Sequence, residues 1–403
     1  CLVGLPFCPI QLWSLNAWIV QVELHTLART RVYQGGVVTG QVIQNSTGAV
    51  VGTESANGYY HVCVDDVHQK LSDGSRPDGT LAITKYDVVG GLTTTTNLGG
   101  FRLKDCPVAW SGNDPPKLYG GPISDFKNRA LAGSGPLTPK IHLPVSIFEL
   151  KDLPSMLKHA GGLLNNFKKP PPGLSRAKQL ASANLAWQFG WKPILDDLEK
   201  LTGFGEAVDK TMANLNKANS SGGLKRRISL GSDNDTSEGI TTVHSTWGHV
   251  IQPKYIDTMM YKRWATIRWK VIDSSQLGHK ADWTSAMRTT LGLNKGHIPI
   301  AAWKAMPWSW MIDWFGSVSD ALTSNYNSIY YRPSMLCIMQ HSHSERRFLP
   351  VGGTTNFPGV TKKVDWKDRW IDSAPNPSIT MRIPFLDSYK LSILGSLAIQ
   401  KIK

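Results

Sequence analysis

The chain contains few residues whose types and spacing suggest catalysis. The sequence has no GxxxxGK[ST] phosphate loop, no HExxH zinc motif and no GxSxG nucleophile turn. Asp196, Asp197 and Glu199 lie close together, but neighbouring residues of a helix point in different directions. Asp65 and Asp66 similarly take opposite faces of a strand. We therefore expect these acids to be ordinary solvated groups and the chain not to be an enzyme.

Cys337, His341 and His343 are the most suggestive candidates for metal ligands. On a strand all three would share one face, and thiolate and imidazole groups both bind zinc. However, the sequence offers neither a fourth ligand nor a recognised zinc spacing. A solvated strand that ends at Arg346 and Arg347 explains the same residues more simply. We therefore expect no metal and no cofactor.

The composition predicts a folded, basic protein. Of the 403 residues, 41% are hydrophobic, which allows a substantial core and excludes a globally disordered chain. Forty-four Lys and Arg against 30 Asp and Glu give a formal net charge of +14. This excess favours nucleic acid or another anionic surface as a partner and says nothing about the fold. A basic protein without such a partner is the alternative.

The cysteines and apolar runs carry little information about compartment. The five cysteines are scattered without a CxxC pair, which argues against a disulfide framework but leaves one or two bridges open. The apolar run at the start of the sequence is interrupted by Pro6 and Pro9 and lacks a preceding basic region, so it makes a poor signal peptide. No other stretch reaches the roughly 18 apolar residues of a spanning helix, so we expect no membrane span.

The segment Met259–Lys270 is predicted to be a strand with two different faces, because successive side chains of a strand point to opposite sides. One face would carry Met259, Tyr261, Arg263, Ala265, Ile267 and Trp269. The other would carry Met260, Lys262, Trp264, Thr266, Arg268 and Lys270. Cations that alternate with an aromatic ring suit phosphates and stacked bases. A solvated face with Lys and Arg stems lying over aromatic rings explains the pattern equally well.

The first part of the chain also has the pattern of strands. From Trp18 to about Trp110, short runs rich in Val, Thr and Tyr alternate with Gly, Asn and Asp turns, which is typical of antiparallel strands. From Ser111 to Pro139, repeated Pro and Gly residues predict a long loop. A loop of that length is usually functional.

A long helical pattern follows. Ser175 is a candidate N-cap, and apolar residues recur at intervals of three and four as far as about Asn219. Pro193 should kink the helix early, and Gly203 and Gly205 weaken its middle. Without interruption, about 44 residues would extend roughly 66 Å, which predicts an elongated bundle.

Residues 274–330 are also predicted to be helical, and their most distinctive part is Trp303–Leu322, WKAMPWSWMIDWFGSVSDAL. Pro307 suits the first turn of a helix, where its missing N–H costs nothing. One apolar face would then carry Met311, Trp314, Phe315, Val318 and Leu322. A helix this aromatic forms either the centre of a core or the anchor of an interface.

Helical and strand-like stretches are therefore interleaved along the chain. This order predicts an α+β fold, an elongated molecule with an antiparallel β-sheet region and a helical-bundle region built from interleaved segments. The β-region would comprise residues 1–150, 225–272 and 332–384. The α-helical region would comprise residues 151–224, 273–331 and 385–403.

Two motifs resemble those of a known family. Asn184–Leu201 reads NLAWQFGWKPILDDLEKL, and Ala305–Leu322 reads AMPWSWMIDWFGSVSDAL. An aromatic-Gly-Trp-x-Pro element, followed by Pro-Trp-Ser-Trp-x-x-Asp-Trp-Phe, is similar to the maturation (attachment) proteins of single-stranded RNA bacteriophages. The ending Tyr389–Gln400, YKLSILGSLAIQ, resembles that family as well. The resemblance covers the helical portion, whereas the β portion is similar only in its general composition.

The resemblance implies a virion protein. Maturation proteins occupy the capsid in place of a coat-protein dimer, bind the genomic RNA, attach the virion to a host pilus and enter the cell with the RNA. Their helical region faces the capsid interior and the RNA, and their β region projects outward to the pilus. Exposed loops of the β-region, Ser111–Pro139 first, are then expected to contact the pilus.

Cations near the predicted helices and on the strand Met259–Lys270 are the candidates for RNA contacts, because neutralisation of phosphates by Lys and Arg drives RNA binding. These candidates are Lys158, Lys168, Lys169, Arg176, Lys178, Lys192, Lys262, Arg263, Arg268, Lys270, Arg288, Lys295 and Lys304.

The family motifs themselves are expected to form the structural core. Their residues are Trp187, Phe189, Trp191, Pro193, Pro307, Trp310, Asp313, Trp314 and Phe315. Trp314 would pack against the long helix after Ser175, and its truncation would then cost about 3–5 kcal/mol, as is typical of a buried large aromatic.

Three other functions are compatible with the sequence. In some phages of this group the maturation protein also inhibits an enzyme of cell-wall precursor synthesis, so an additional or separate role as a host-lysis effector is one alternative. An RNA-processing enzyme is the second, although catalytic motifs are missing. An adhesin without RNA binding is the third, and the net charge of +14 disfavours it.

Overall fold

The computed structural model describes residues 26–68, 79–95, 100–119, 123–141, 176–188, 202–306, 308–372, 375–377 and 387–401, with the single residues 192, 196, 199 and 379. Its strands are β1 (Thr26–Gln34), β2 (Val37–Gln44), β3 (Val50–Asn57), β4 (Tyr59–His68), β5 (Leu81–Gly90), β6 (Leu92–Thr93), β7 (Phe101–Lys104), β8 (Cys106–Pro107), β9 (Leu224–Ile240), β10 (Lys254–Val271), β11 (Tyr331–Phe348) and β12 (Val360–Asp372).

Helices and strands are both well represented, so the α+β class is confirmed. The helices are α1 (Ile123–Ser134), α2 (Arg176–Ala186), α3 (Phe204–Ala218), α4 (Trp283–Thr290), α5 (Ile298–Ala305), α6 (Ser309–Phe315), α7 (Val318–Tyr330) and α8 (Ser388–Lys401). Short 3₁₀ turns lie at Ser274–Gln276, Lys295–His297 and Gly353–Thr355. No helix of the described part of the chain has both the length and the apolar character needed to cross a membrane.

One large antiparallel sheet organises the molecule. Its strand order is β1-β4-β5-β12-β11-β10-β9, while β3-β2-β7 and β6-β8 form two small sheets. Strands β9, β10 and β11 contain 17, 18 and 18 residues. At about 3.3 Å per residue, each extends over roughly 60 Å. We call the end where β11 follows α7 the helical end of the sheet, and the opposite end the distal end.

The alternation predicted for Met259–Lys270 is confirmed by β10. Ala265, Ile267 and Trp269 are buried, whereas Lys262 and Lys270 on the other face are exposed. We call the buried side of the large sheet its inner face and the opposite side its open face. Residues that lie directly opposite one another in an antiparallel pair of strands share a face of the sheet. The strand register therefore assigns every residue of the sheet to the inner face or to the open face.

Two hydrophobic clusters lie on the inner face. At the helical end, Ile267 and Trp269 pack with Leu131 of α1, Leu215 of α3 and Tyr326 of α7. At the distal end, residues of the small sheets pack on the ends of β11 and β12; the cluster includes Val42, Leu103, Phe348 and Val360. The helices and the small sheets therefore cover opposite ends of the same face.

Between these clusters the inner face is polar. The Asp257 carboxylate of β10 accepts two hydrogen bonds from the Arg346 guanidinium of β11, Nε to Oδ1 and Nη2 to Oδ2, each 2.7 Å long. Both residues are buried, and the hydrogen bond with Asp257 raises the pKa of Arg346 further above its ordinary value. The guanidinium also lies over the ring of Tyr255, 4.1 Å from its centroid. Burying two charges in this way is tolerated because each satisfies the other.

A segment without regular secondary structure, residues 112–119, crosses this polar region, and we call it the strap. Its carbonyls accept hydrogen bonds from inner-face side chains, which satisfy backbone groups that the strap does not pair by itself. The bonds run from Gln340 and Ser342 to Leu118, from Ser344 to Pro116, from Arg346 to Asn113 and from Lys362 to Gly112.

The strap and α1 together correct the loop predicted for Ser111–Pro139. Residues 123–134 form α1, whose Ala130 and Leu131 are fully buried under the sheet. The strap is fixed to the sheet rather than presented as a free loop. The Pro and Gly residues that predicted a loop reflect a chain that crosses a sheet without pairing as a strand. Pilus contact by this segment stays a prediction, since residues 111–114, 116 and 119 are exposed.

The helix expected from Ser175 to about Asn219 is described only in part. α2 and α3 lie near its two ends, with Gly203 as the N-cap residue of α3, and residues 192, 196, 199 and 202 between them are helical as well. Ser175, Pro193 and most residues between these helices lie outside the described residues. Residues 274–330 are predominantly helical, as predicted, and contain the four helices α4 to α7.

The single helix predicted within Trp303–Leu322 is also wrong. α6 ends at Phe315 and α7 begins at Val318, because Gly316 is extended (φ −141°, ψ 162°). The Asp313 side chain accepts hydrogen bonds from the backbone N–H and the hydroxyl of Ser319 in the first turn of α7, so a side chain replaces the missing helical bond. Phe315 is 47% exposed and therefore does not share a buried stripe with Leu322. Pro307 lies outside the described residues.

Three element bounds lie one residue from a predicted boundary of the β-region. β9 begins at Leu224, where the prediction was residue 225, and β11 begins at Tyr331, where the prediction was residue 332. β10 ends at Val271, where the prediction was residue 272. α1 departs from the scheme because it lies within residues 1–150, which were expected to belong to the β-region.

Truncation of two tryptophans should have unequal effects on stability. Trp269 is fully buried and its indole N–H donates to Ser134 Oγ at 3.0 Å, so we expect Trp269→Ala to lower the free energy of unfolding by about 3–5 kcal/mol. Trp314 is only half-buried, against Trp310 at 4.9 Å between ring centroids, so Trp314→Ala should cost roughly 1–2 kcal/mol. Urea unfolding of both variants measures the difference, and equal losses would contradict this assignment of the core.

The ion pair under the strap should be sensitive to loss of one partner. Asp257→Asn leaves the Arg346 guanidinium buried without its counter-charge, so we expect a loss of about 3–5 kcal/mol in the free energy of unfolding. Glu238→Gln is the matched control on the same sheet, since its pair with Lys254 is exposed and should contribute less than about 1 kcal/mol. Similar unfolding midpoints for the two variants would show that the strap does not depend on this pair.

Candidate nucleic-acid interface

The open face of the large sheet is rich in positive charge. The helices that pack on the sheet through the core, α1, α3 and α7, contact its inner face, so the open-face side chains point away from them. The Lys and Arg residues on this face are Arg29, Arg31, Lys85, Lys225, Arg227, Lys254, Lys262, Arg268, Lys270, Arg332, Arg347, Lys363, Lys367 and Arg369. Its acidic residues are Asp65, Asp87, Glu238, Glu345 and Asp365. Cations therefore outnumber carboxylates by more than two to one.

Most of these carboxylates already pair with cations. Asp65 accepts hydrogen bonds from both Arg29 and Arg31, and the hydrogen bond from Arg29 lowers its pKa below the ordinary value. Glu238 pairs with Lys254 at 2.9 Å, and Glu345 with Lys363 at 3.7 Å. These pairs neutralise charge on β1 and near the distal end, so the excess positive charge is concentrated elsewhere on the face.

The excess lies at the helical end, on β9, β10 and β11. We call this surface the basic patch, and its residues are Lys225, Arg227, Lys262, Trp264, Arg268, Lys270 and Arg332. From Lys262 to Lys270, the open-face positions of these three strands include no Asp or Glu. The strand register places Lys225 opposite Arg268 and Arg332 opposite Lys270. Like charges opposite one another on a sheet repel, so the arrangement costs stability unless an anion binds.

One aromatic ring lies within the patch. The Arg227 guanidinium lies 5.0 Å from the ring centroid of Trp264, which is itself half-buried. Arg268 donates a hydrogen bond to the carbonyl of Gly222, which holds its guanidinium near the edge of the sheet. Lys and Arg neutralise phosphates, and guanidinium and indole groups provide surfaces for base stacking. The patch therefore has the chemistry to bind a single-stranded polyanion with bases.

The cluster around His341 has a different arrangement from the zinc site considered above. His341 Nε2 and His343 Nδ1 both donate to Asp365 Oδ1, at 2.8 Å and 3.0 Å. Burial opposes ionisation of this carboxyl, but the two imidazoles hold the pKa of Asp365 below its ordinary value. Cys337 is only 2% exposed. Among the described residues, no group of three or more His, Cys, Asp or Glu side chains could hold a metal ion.

Three of the four predicted RNA contacts on β10 come together in the patch. Lys262, Arg268 and Lys270 lie on the open face, as predicted. Arg263 does not fit the prediction, because it is 2% exposed on the inner face. Its guanidinium donates to Gln340 Oε1 and lies 4.0 Å from the ring centroid of Phe126, and burial lowers its pKa. Arg263 is thus a structural residue beneath α1.

The helical candidates are more scattered. Arg288 and Lys295 are exposed and line a cleft at the helical end. Lys192 and Lys304 are exposed, and Lys178 is half-buried in α2. Arg176 is the first residue of α2. Lys158, Lys168 and Lys169 lie outside the described residues.

The motif residues have mixed positions. Asp313 joins α6 to its neighbours, because it accepts from Trp303 Nε1 at 3.1 Å as well as from Ser319. The rings of Trp310 and Trp314 meet edge to face, and Lys390 of α8 lies 5.9 Å from the Trp314 ring centroid. Trp187 is 50% exposed. Phe189, Trp191, Pro193 and Pro307 lie outside the described residues.

Sequence reasoning missed Lys225, Arg227 and Arg332. The alternation in LKRRISL, residues 224–230, already separates Lys225 and Arg227 from the buried Leu224 and Leu230. That pattern indicates a strand with one basic face, but it cannot show that the strand lies beside β10. The pairing of β9 with β10 supplies this information.

Comparison with known proteins adds no identification. The chain matches no protein-family model, and no curated protein matches it significantly. The geometry and the motif resemblance are therefore the evidence on which a function can be proposed.

A buried histidine lies behind the cleft that Arg288 and Lys295 line. The ring of His297 is 3% exposed and lies 4.3 Å from the ring of Tyr326 between centroids. Burial lowers its pKa to about 4; contact with the backbone of Leu137 opposes this effect, and the charge of Lys304 adds to it. The folded protein therefore keeps this imidazole neutral at pH values where an exposed histidine is protonated.

His297 should make the fold less stable as the pH falls. Above about pH 6.5 the ring is neutral in both the folded and the unfolded chain, so it has no effect. Between about pH 6.5 and 4, only the unfolded chain takes up the proton, which lowers the free energy of unfolding by up to about 3 kcal/mol. Urea unfolding at pH 7 and pH 4.5 measures this loss. His297→Phe should reduce the loss by about 2–3 kcal/mol. An identical pH dependence in the wild-type protein and in this variant would contradict the assignment.

Proposed function

We propose that this protein binds single-stranded, structured RNA through the basic patch and acts as a maturation protein of a single-stranded RNA bacteriophage. In that role it occupies the capsid in place of a coat-protein dimer and retains the genomic RNA. It also attaches the virion to a host pilus and enters the cell with the RNA. The role requires no catalytic step. The motif resemblance supports the family, and the geometry of the open face supports the RNA partner.

The observation that carries the proposal is the uncompensated charge of the basic patch. Lys225, Arg227, Lys262, Lys270 and Arg332 are exposed cations within one surface, and that surface lacks a carboxylate between Lys262 and Lys270. A phosphate chain would relieve their mutual repulsion and release its own counterions. RNA is recognised largely through phosphates, shape and stacking on loops, which suits a flat sheet with one exposed aromatic edge.

The location of the patch agrees with the arrangement implied by the resemblance. In maturation proteins the helical region faces the RNA, and the patch lies at the helical end, where β11 directly follows α7. The long strands lead from there to the distal end, whose small sheets would project outward. An elongated molecule of this kind, with strands of roughly 60 Å, would span a capsid shell with RNA at one end and the pilus at the other.

Charge reversal in the patch tests RNA binding. Lys262→Glu/Lys270→Glu changes two exposed cations that do not contribute to the core. We expect weaker binding to single-stranded RNA and a salt slope, log K against log salt, that is shallower by about 1.4, since each phosphate contact contributes about 0.7. Fluorescence anisotropy at several salt concentrations measures both quantities.

The matched control reverses two positive charges outside the basic patch. Arg102→Glu/Lys104→Glu lies on β7 of a small sheet, where both side chains are exposed. It should leave the salt slope unchanged, apart from a small general effect of net charge. Equal losses in the two double variants would mean that binding follows total charge and not the patch.

Virions assembled with the same variants distinguish RNA retention from attachment. The patch variant should lose packaged RNA, while particles that still contain RNA should bind pili normally. Loss of pilus binding with RNA retention intact would contradict the proposal and identify the open face as the receptor surface.

A further inference from the structure

A large cleft lies at the helical end of the sheet, on the side of the inner face. Its volume is about 930 Å³, within the range of small-molecule sites. Leu137, Leu215 and Tyr326 form a buried apolar floor. Tyr330 lies at the rim, 55% exposed, with its ring edge to face against Tyr326 at 6.1 Å. The cleft therefore offers an apolar interior and an accessible aromatic ring.

Three exposed cations surround this cleft: Lys280, Arg288 and Lys295. None of them forms an ion pair with a carboxylate of the described residues. The two carboxylates in the lining serve the backbone instead. Asp282 accepts from the N–H of Ser285 as the N-cap of α4, and Asp273 accepts from the N–H of Ser275. Hydrogen bonding with the side chain of Ser275, and then with its N–H, lowers the pKa of Asp273. The cations thus remain available to an anionic group.

The walls of the cleft are held by hydrogen bonds between separate elements. Asn219 accepts from the hydroxyl of Tyr331 at 3.1 Å and donates to the carbonyl of His279 at 3.1 Å. Asn216 of α3 accepts from the N–H of Ala281 at 2.7 Å. These bonds tie the segment before α4 to α3 and to the start of β11. The shape of the cleft is therefore formed before any ligand binds, which lowers the entropic cost of binding.

The cleft and the basic patch lie on opposite sides of the same end of the sheet. Lys270 and Arg332 are paired on the open face, and the next residues, Val271 and Tyr331, point to the inner face and line the cleft. The N–H of Ile272, another lining residue, donates to the carbonyl of Tyr330 at 3.1 Å. A strand of RNA that lies along the patch would have to pass around the end of β10 to reach the cleft.

We propose that this cleft binds one nucleotide unit, with its base against Tyr330 and its phosphate on Arg288 and Lys295. The aromatic ring and the apolar floor fit a base, and the unpaired cations fit a phosphate. An unpaired nucleotide of RNA is the source that follows from the proposed function, on which this part of the inference rests. A free nucleotide has the same chemistry and is the other source.

Two measurements on the full chain test the site. First, AMP, GMP, CMP and UMP are each titrated into the protein by calorimetry; at least one should bind. Arg288→Gln/Lys295→Gln and Tyr330→Ala should each weaken that binding about five- to tenfold, whereas Tyr330→Phe should retain it, since a phenyl ring still stacks. Second, a short single-stranded RNA is crosslinked to the protein by ultraviolet light, and the crosslinked peptide should contain Tyr330.

Controls separate the cleft from the patch. Lys225→Gln/Lys262→Gln lies on the patch away from the cleft, so it should weaken RNA binding without changing mononucleotide affinity. The substituted cleft residues are exposed, and thermal unfolding verifies that each variant is folded.

The possible outcomes distinguish this inference from the proposed function. Mononucleotide binding that depends on Arg288 and Lys295, together with the Tyr330 crosslink, supports a nucleotide of RNA. The same dependence without the crosslink supports a nucleotide site and removes RNA as its source. Absence of mononucleotide binding, or affinities unchanged in both cleft variants, overturns the site, and RNA binding that still depends on Lys262 and Lys270 would then leave the proposed function standing.

Discussion

The long strands depend on the buried ion pair between Asp257 and Arg346 and on the strap above it. In the part of the chain that the structure describes, the hydrophobic clusters of the inner face lie at its two ends, so its middle presents buried polar side chains that need hydrogen-bond partners. The strap supplies carbonyl acceptors at that point, and the side chains of β11 and β12 supply the donors. Each therefore provides hydrogen-bond partners for the other. This mutual dependence joins the helical end and the distal end into one continuous sheet.

A continuous sheet has consequences for its other face. Because the inner face is filled along its length, the register of β9, β10 and β11 is fixed, and the open-face side chains are held in fixed rows. The rows at the helical end place cations opposite cations, Lys225 with Arg268 and Lys270 with Arg332. Such pairs lower stability in the free protein. Arrangements that lower stability without a structural benefit are expected at functional sites, and the like charges that face one another on this surface are such an arrangement.

The alternation of β10 was predictable because a period of two is a local property of the sequence, and it correctly separated Lys262, Arg268 and Lys270 from the buried face. Arg263 was wrongly predicted to contact RNA because arginine is usually an exposed residue. Its burial depends on contacts with Phe126 and Gln340, which are distant in sequence. The strap was predicted to be a loop because Pro and Gly indicate that a segment does not pair as a strand. They do not reveal that side chains of another strand donate hydrogen bonds to its carbonyls. The break between α6 and α7 is accompanied by two hydrogen bonds from Ser319 to the Asp313 side chain, which apolar periodicity does not reveal.

The resemblance and the geometry point to the same end of the molecule by different routes. The tryptophan-rich motif lies in α6 and the adjoining helices, and its polar residue Asp313 holds those helices together through Trp303 and Ser319. α7 continues directly into β11, so the helices that this motif organises also position Tyr330 and Arg332. The motif residues therefore need no direct contact with RNA to matter for RNA binding. They fix the junction at which the helical layer ends and the basic patch begins, and a change in that junction would alter the patch and the cleft together.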